Sequence, residues 1–131
     1  MQRFMTEGAA EVERRFPGTR VNAFGHLGDG NIHFNVRPPA GAGPHWVRDG
    51  SGPVTAFVHD LVTAAGGSFS AEHGIGMMKL AELARLAEPP RLAAMRAIKQ
   101  ALDPRGIMNP GKLVPPAPDD QPSLAEIAVR P

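Results

Sequence analysis

Two histidines, an aspartate and an asparagine stand among three glycines in "GHLGDGNIHFNV", Gly25 to Val36, of a chain with five histidines in all, and the two imidazoles could make half of a metal site. Asp29-Gly30 between alternating apolar residues is a signal for a two-residue hairpin turn. A turn there sets Gly28 against Asn31, Leu27 against Ile32, and His26 directly across from His33. Side chains alternate in a strand, so Asn22, Phe24, His26, His33, Asn35 and Arg37 share one face, and Val21, Ala23, Gly25, Leu27, Ile32, Phe34 and Val36 the other. Directly opposed residues have β-carbons about 4.5–5.5 Å apart, and from there two imidazoles can reach one metal at nitrogen distances of about 2.0–2.1 Å. The competing reading is a pair of solvent-facing histidines beside a tight turn. A third ligand decides between the two.

"SAEHGIG" supplies the candidates, Glu72 and His73, between glycines. Neighbours in an extended chain point to opposite faces, so one of them binds and the other serves nearby unless the chain turns there. Glu72 suits the ligand role, because two histidines and one carboxylate leave positions open for substrate, as a catalytic rather than a structural metal requires. The plainer readings are a helix cap for Glu72 and a loop histidine for His73. His45 reads as a loop histidine, and His59 as a helix residue outside the apolar stripe.

The elements that must position these residues follow from periodicity. Phe4, Met5, Gly8, Ala9, Val12 and Phe16 recur at helical spacing until "FPG" stops them. "PPAGAGPHWVRDGSG" is turn-rich and reads as a surface loop. Val54, Phe57, Val58, Leu61, Val62 and Ala65 mark a second helix, with Ser51 as its cap and Gly66-Gly67 as its stop. "GSFSAEHGIG" reads as a short strand running into a turn. Helices over about Met78–Ala87 and Pro90–Leu102 follow, the latter with Pro90 in its first turn and Leu92, Met95, Ile98 and Leu102 on one face. "DPRG" is turn chemistry and "IMNPGKLV" an extended apolar end. Residues 115–131, rich in proline and acid, read as a mobile tail after a domain over 1–114.

At 131 residues, 42% hydrophobic and 21% charged, this is an ordinary globular composition of about one domain. The net charge of +1 and 5% aromatic content give no phosphate-tracking stripe and no stacking platform, which argues against nucleic acid. The absence of cysteine excludes disulfides, thiolate metal sites and a cysteine nucleophile. No targeting segment or run long enough to span a bilayer stands in the sequence, so a cytoplasmic protein is expected.

Taken in order, "GHLGDGNIHFNV", "SAEHGIGMMK" and "LDPRGIMNPGKL" resemble the C-terminal domain of the FAD-linked 2-hydroxy acid dehydrogenases. That group includes D-lactate dehydrogenase, D-2-hydroxyglutarate dehydrogenase and the flavin subunit of glycolate oxidase. The resemblance implies an α+β, ferredoxin-like cap, here partial, with an antiparallel sheet and helices packed on one face. It implies His26, His33 and Glu72 as ligands of a divalent metal, zinc or manganese, His73 as catalytic base, Asn35 as a substrate contact and Asn109 as a cofactor contact. A 2-hydroxy acid would be oxidised to a 2-oxo acid, with His73 taking the hydroxyl proton and hydride passing to FAD.

The family's flavin domain and upstream cap residues have no counterpart in the sequence. The expected partner is therefore an FAD-binding domain or subunit, and the chain by itself is expected to be inactive. A small sheet with an unprotected edge leads to the expectation of a homo-oligomer. A non-catalytic metal-binding or assembly subunit of a separately encoded flavoprotein is the alternative. "GDGNIH" also echoes metallophosphoesterase ligands, but the Asp-x-His element of those sites is absent.

Overall fold

A computed structural model describes residues 1–117. The chain divides into two compact units, Met1–His73 and a second from Gly74 onward.

In the first unit, α1 (Gln2–Arg15) leads into β1 (Arg20–Gly25) and β2 (Ile32–Arg37), followed by α2 (Trp46–Asp49) and α3 (Ser51–Ala64). This is an α+β arrangement on a two-stranded antiparallel sheet. The apolar stripe of α1 packs on β1 and α3. Val12 is fully buried and Val54 is buried. Phe4 meets Phe34 with ring centroids 5.8 Å apart, and Phe16 meets Phe57 edge-on at 5.7 Å. Where α1 gives way to β1, the Glu13 carboxylate accepts the Val21 N–H at 2.9 Å, and the buried Thr19 hydroxyl donates to the Phe16 carbonyl at 2.7 Å. Both polar groups are thereby satisfied, as burial demands.

The hairpin forms, but two residues out of the expected register. Phe24, not His26, stands opposite His33, and Gly25 pairs with Ile32. The turn is a four-residue loop, Leu27 to Gly30, closed by the His26 N–H donating to the Asn31 carbonyl at 2.8 Å and the Gly30 N–H to the His26 carbonyl at 3.1 Å. The physical reason lies at Asp29. A two-residue type I′ turn needs positive φ at both central residues, and only Gly30 adopts it, at φ +74°. Asp29 instead accepts the Asn31 N–H on its own side chain at 3.0 Å. A slip of two leaves every side chain on its predicted face. Val21, Ala23, Ile32, Phe34 and Val36 are half-buried, whereas Asn22, Phe24, His26 and Asn35 are exposed. Gly25 and Leu27 are the exceptions on the apolar side, Leu27 being lifted into the loop and 93% exposed.

Two other expectations for this unit are corrected. Ser51 does not cap α3: Gly50 precedes the helix in helical conformation, continuing from α2, and the Ser51 hydroxyl bonds back to the Val47 carbonyl. No strand forms over "GSFSAEHGIG", which is bends and turns. Ala71, Gly74 and Gly76 all take left-handed backbone, at φ +38°, +68° and +54°, and strand geometry cannot pass through them.

The second unit holds α4 (Leu80–Leu86) and α5 (Pro89–Leu102). Ile75, Leu83 and Leu92 are its buried apolar residues. Residues Met77–Lys79 form a turn, so α4 starts slightly later than its pattern suggested. Prolines open α5, where their missing N–H costs no helical bond. Of its apolar stripe, Ile98 and Leu102 are exposed. Beyond α5, the buried Asp103 carboxylate accepts the Ile107 and Met108 N–H groups at 3.0 and 2.9 Å and the Lys99 ammonium at 2.5 Å. "IMNPGKLV" is not extended: Asn109 and Leu113 take left-handed backbone, at φ +47° and +68°, and the Leu113 N–H donates to the Gly76 carbonyl. Arg96 donates to the carbonyls of Pro115 and Pro116 at 3.0 and 2.9 Å. The rest of the predicted tail, 118–131, lies outside the described residues.

Candidate metal centre

The candidate centre lies wholly in the first unit. β1 runs into His26 at its end and β2 carries His33 second in line, on the same face. In the observed register they are diagonal rather than opposed, a spacing still within reach of long or aromatic side chains. Their rings sit 5.1 Å apart, with Nε2 of one 3.2 Å from Nε2 of the other. The turn at Ala71 delivers Glu72 to the same place, its Oε1 3.8 Å from His33 Nε2. One ligand atom from each of His26, His33 and Glu72 lies within 4.8 Å of the other two.

This set suits a metal. Two ligand atoms each about 2.0–2.1 Å from a tetrahedral ion lie about 3.3 Å from each other, close to the 3.2 Å between the two imidazole nitrogens and shorter than the 3.8 Å from His33 to Glu72. Two imidazoles and a carboxylate are the donors preferred by zinc and other divalent first-row ions, and three protein ligands leave room for substrate. His33 is half-buried and His26 and Glu72 more exposed, so the trio opens to solvent.

The other sequence candidates fall as follows. His73 is 79% exposed at its side chain and holds its Nε2 3.4 Å from Glu72 Oε1, beside the trio and outside it. The local turn lets these two neighbours come together, which an extended chain would forbid. Asn35 shares the face of His33, two residues along β2, and pairs across the ladder with Asn22. Asn109 belongs to the second unit. His45 stands at the N-terminal end of the short α2 without a side-chain bond to it, and the His59 ring lies 5.1 Å from that of Phe69.

Two residues near the trio went unread in the sequence. Phe24 stacks on His33 with centroids 4.9 Å apart and planes at 18°; as the one apolar member of a polar face, it carried a visible signal. Asp29 read as a turn residue and within the phosphoesterase echo of "GDGNIH", with no tie to His26, yet its Oδ1 lies 3.7 Å from His26 Nδ1. The Asn31 N–H, and to a smaller extent His26, hold the Asp29 carboxyl below the ordinary carboxylate range. A groove of about 980 Å³ runs past Asp29 and Glu72, with Phe4, Ile32, Phe34 and Val62 on its apolar side.

Comparison with known proteins agrees with the motifs. The family described as FAD linked oxidases, C-terminal domain, matches residues 2–113. This chain belongs to that family. It is 38% identical over 110 residues to a D-2-hydroxyglutarate dehydrogenase of Stutzerimonas stutzeri, a match covering 84% of this chain and 24% of that protein. A D-2-hydroxyglutarate dehydrogenase of Xanthomonas citri is 38% identical over 113 residues, 86% of this chain and 24% of its own. The Arabidopsis thaliana protein named as the mitochondrial D-2-hydroxyglutarate dehydrogenase is 39% identical over 95 residues, 72% and 16% of the respective chains. The FAD-linked oxidase domain thus spans about a quarter of the length of its bacterial relatives. Among the described residues, no helix is long and apolar enough to cross a membrane.

Proposed function

We propose that this chain is the metal- and substrate-binding part of an FAD-dependent dehydrogenase that oxidises a D-2-hydroxy acid to a 2-oxo acid. D-2-hydroxyglutarate is the first substrate to test, since the relatives above carry that name. The observation that carries the reading is the convergence of His26, His33 and Glu72 in a chain of this family. The chemistry supplied from outside the chain's own residues is Lewis-acid polarisation by a divalent metal, zinc or manganese, and hydride acceptance by FAD.

The residues of the chain have distinct tasks. His26 and His33 offer Nε2, and Glu72 a carboxylate oxygen, to the metal. A small acid would approach the trio from its solvent-open side, with the Asn35 amide, on the same face of β2 as His33, as a hydrogen-bonding contact. His73 accepts the substrate hydroxyl proton at Nε2, because an imidazole is the side chain suited to that transfer near neutral pH. The α-hydrogen leaves with its electron pair, so the hydroxyl carbon becomes a carbonyl and the charges balance. Asn109, in the closing "NPGKL" segment, is the proposed contact to the flavin held by the partner domain or subunit. Both strands of the sheet keep an unpaired edge among the described residues, which supports self-association of the chain.

The test is metal content of the 131-residue chain after dialysis against zinc or manganese. The parent should retain close to one ion per chain and His33→Ala almost none. Equal retention by the two would refute the site.

A further inference from the structure

The two nitrogens of the His26 ring face different neighbours. Nε2 lies 3.2 Å from His33 Nε2, on the side of the trio, and Nδ1 lies 3.7 Å from Asp29 Oδ1. In a neutral imidazole one nitrogen carries the proton and the other the lone pair, and only the bare nitrogen can take a metal. The ring therefore serves as an Nε2 ligand only when its proton sits on Nδ1.

We propose that Asp29 is a positioning residue that holds the His26 proton on Nδ1 and so presents the Nε2 lone pair to His33 and Glu72. The inference rests, for its purpose, on the metal reading above. At 3.7 Å the pair is a charge contact rather than a hydrogen bond, but a fixed negative charge on one side of the ring favours the N–H on that side. Asp29 is fixed. Its Oδ1 accepts the Asn31 N–H at 3.0 Å, and Asn31 in turn accepts the His26 N–H through its carbonyl at 2.8 Å. The loop thus forms a cycle: His26 main chain to Asn31, Asn31 main chain to the Asp29 side chain, and that side chain back to the His26 ring. Asp29 is no member of the ligand group itself. Carboxylates placed behind metal-binding histidines in this way orient the ring and raise its basicity.

Asp29→Asn separates this role from turn formation, because an asparagine amide oxygen can still accept the Asn31 N–H and asparagine suits such turns. Two measurements are made on the full chain, at a pH where the ring is neutral. Nitrogen-15 NMR of the metal-free protein should show His26 as the Nδ1–H tautomer in the parent, with a shift toward Nε2–H in the variant. Zinc titration should show affinity falling roughly 10–100-fold in Asp29→Asn, the usual cost of losing such a partner, with the hairpin's amide spectrum retained. An Nε2–H tautomer in the parent, or zinc affinity lost with the tautomer unchanged, overturns the proposal. If the tautomer responds but the parent takes up no zinc, Asp29's hold on the ring is upheld and the metal reading fails.

Discussion

The hairpin makes a quantitative prediction at Gly25, where the chain leaves β1 for His26. Its backbone is not left-handed, so alanine would suffer no φ penalty. The obstacle is space. A β-carbon added there would lie 3.3 Å from the Asn31 carbonyl carbon and from Ile32 Cα, and far inside the 3.0 Å limit of real contacts to the Asn31 carbonyl oxygen. To clear that oxygen, the start of β2 must withdraw by more than half an ångström. The bond it carries, from the His26 N–H, is 2.8 Å long and would be lost or badly stretched. His33 lies two residues further on the same strand. Metal–ligand distances tolerate departures of only about 0.2 Å, so zinc affinity in Gly25→Ala should fall at least tenfold. Stability should fall as well, since overpacking costs about 1–3 kcal/mol against the roughly 0.4–1 kcal/mol gained by removing a glycine from the unfolded chain. Gly28→Ala is the control, three residues away in the same motif. Nothing lies within 4 Å of its added β-carbon, and its φ is not positive. That variant should melt at or slightly above the parent temperature and bind zinc unchanged. The assays are thermal unfolding and zinc competition with a chromophoric chelator. If the two alanine variants behave alike in both, the close approach of Gly25 and Asn31 does not organise the site.

Replacing His73 by asparagine in the flavin-loaded enzyme should lower turnover by about a hundredfold or more, the scale of a general base, while metal content stays at the parent value; loss of metal would make His73 a ligand instead. Asp103 predicts an acid limit for the second unit: the Lys99 ammonium first, then the Met108 N–H, hold its carboxyl below the ordinary value. A group lowered in the folded state stabilises above its unfolded pKa, and that contribution disappears as pH falls through the lower folded value. Amide exchange at Ile107 and Met108 should therefore quicken as pH drops below about 4, after correction for intrinsic exchange, and Asp103→Ala, which removes both acceptor oxygens, should exchange fast already at neutral pH. A parent whose protection at these two amides is flat across that acid range would exclude the role.

How far the fold was legible depended on whether a local pattern was enough. α1, α3 and α5 each repeat apolar residues over three to four turns, and each stands within a residue or two of its expected span. The hairpin's existence followed from alternation and an Asp-Gly pair, but its register hung on one backbone angle at Asp29, which no pattern of side-chain types reveals. Because the error was an even number of residues, the two histidines stayed on one face and still meet. The missing third strand has a different cause. Its residues include Phe69 between two serines, an alternation that passes for a strand, and the left-handed Ala71 that forbids one is a residue type that seldom adopts such a conformation.

Ala71 also explains why the proposed third ligand could be named but not placed. Chemistry alone singled out Glu72, since the chain holds few carboxylates beside a histidine between glycines. Its arrival at His33, some forty positions earlier in the chain, is a tertiary fact. A non-glycine residue held left-handed costs of order 1–3 kcal/mol and persists only where its surroundings require it. Here the residue so held immediately precedes Glu72, and the bend it makes does two things that an extended segment could not do. It turns Glu72 toward His33, and it brings His73, which would otherwise face away, to 3.4 Å from the same carboxylate. A loop built only to connect α3 to the next unit would have no reason to bear that cost at Ala71 with Gly66, Gly67, Gly74 and Gly76 nearby to take the turn. The strain sits where the proposed ligand, Glu72, and the proposed base, His73, come to one side of the chain, which is the arrangement that chemistry requires.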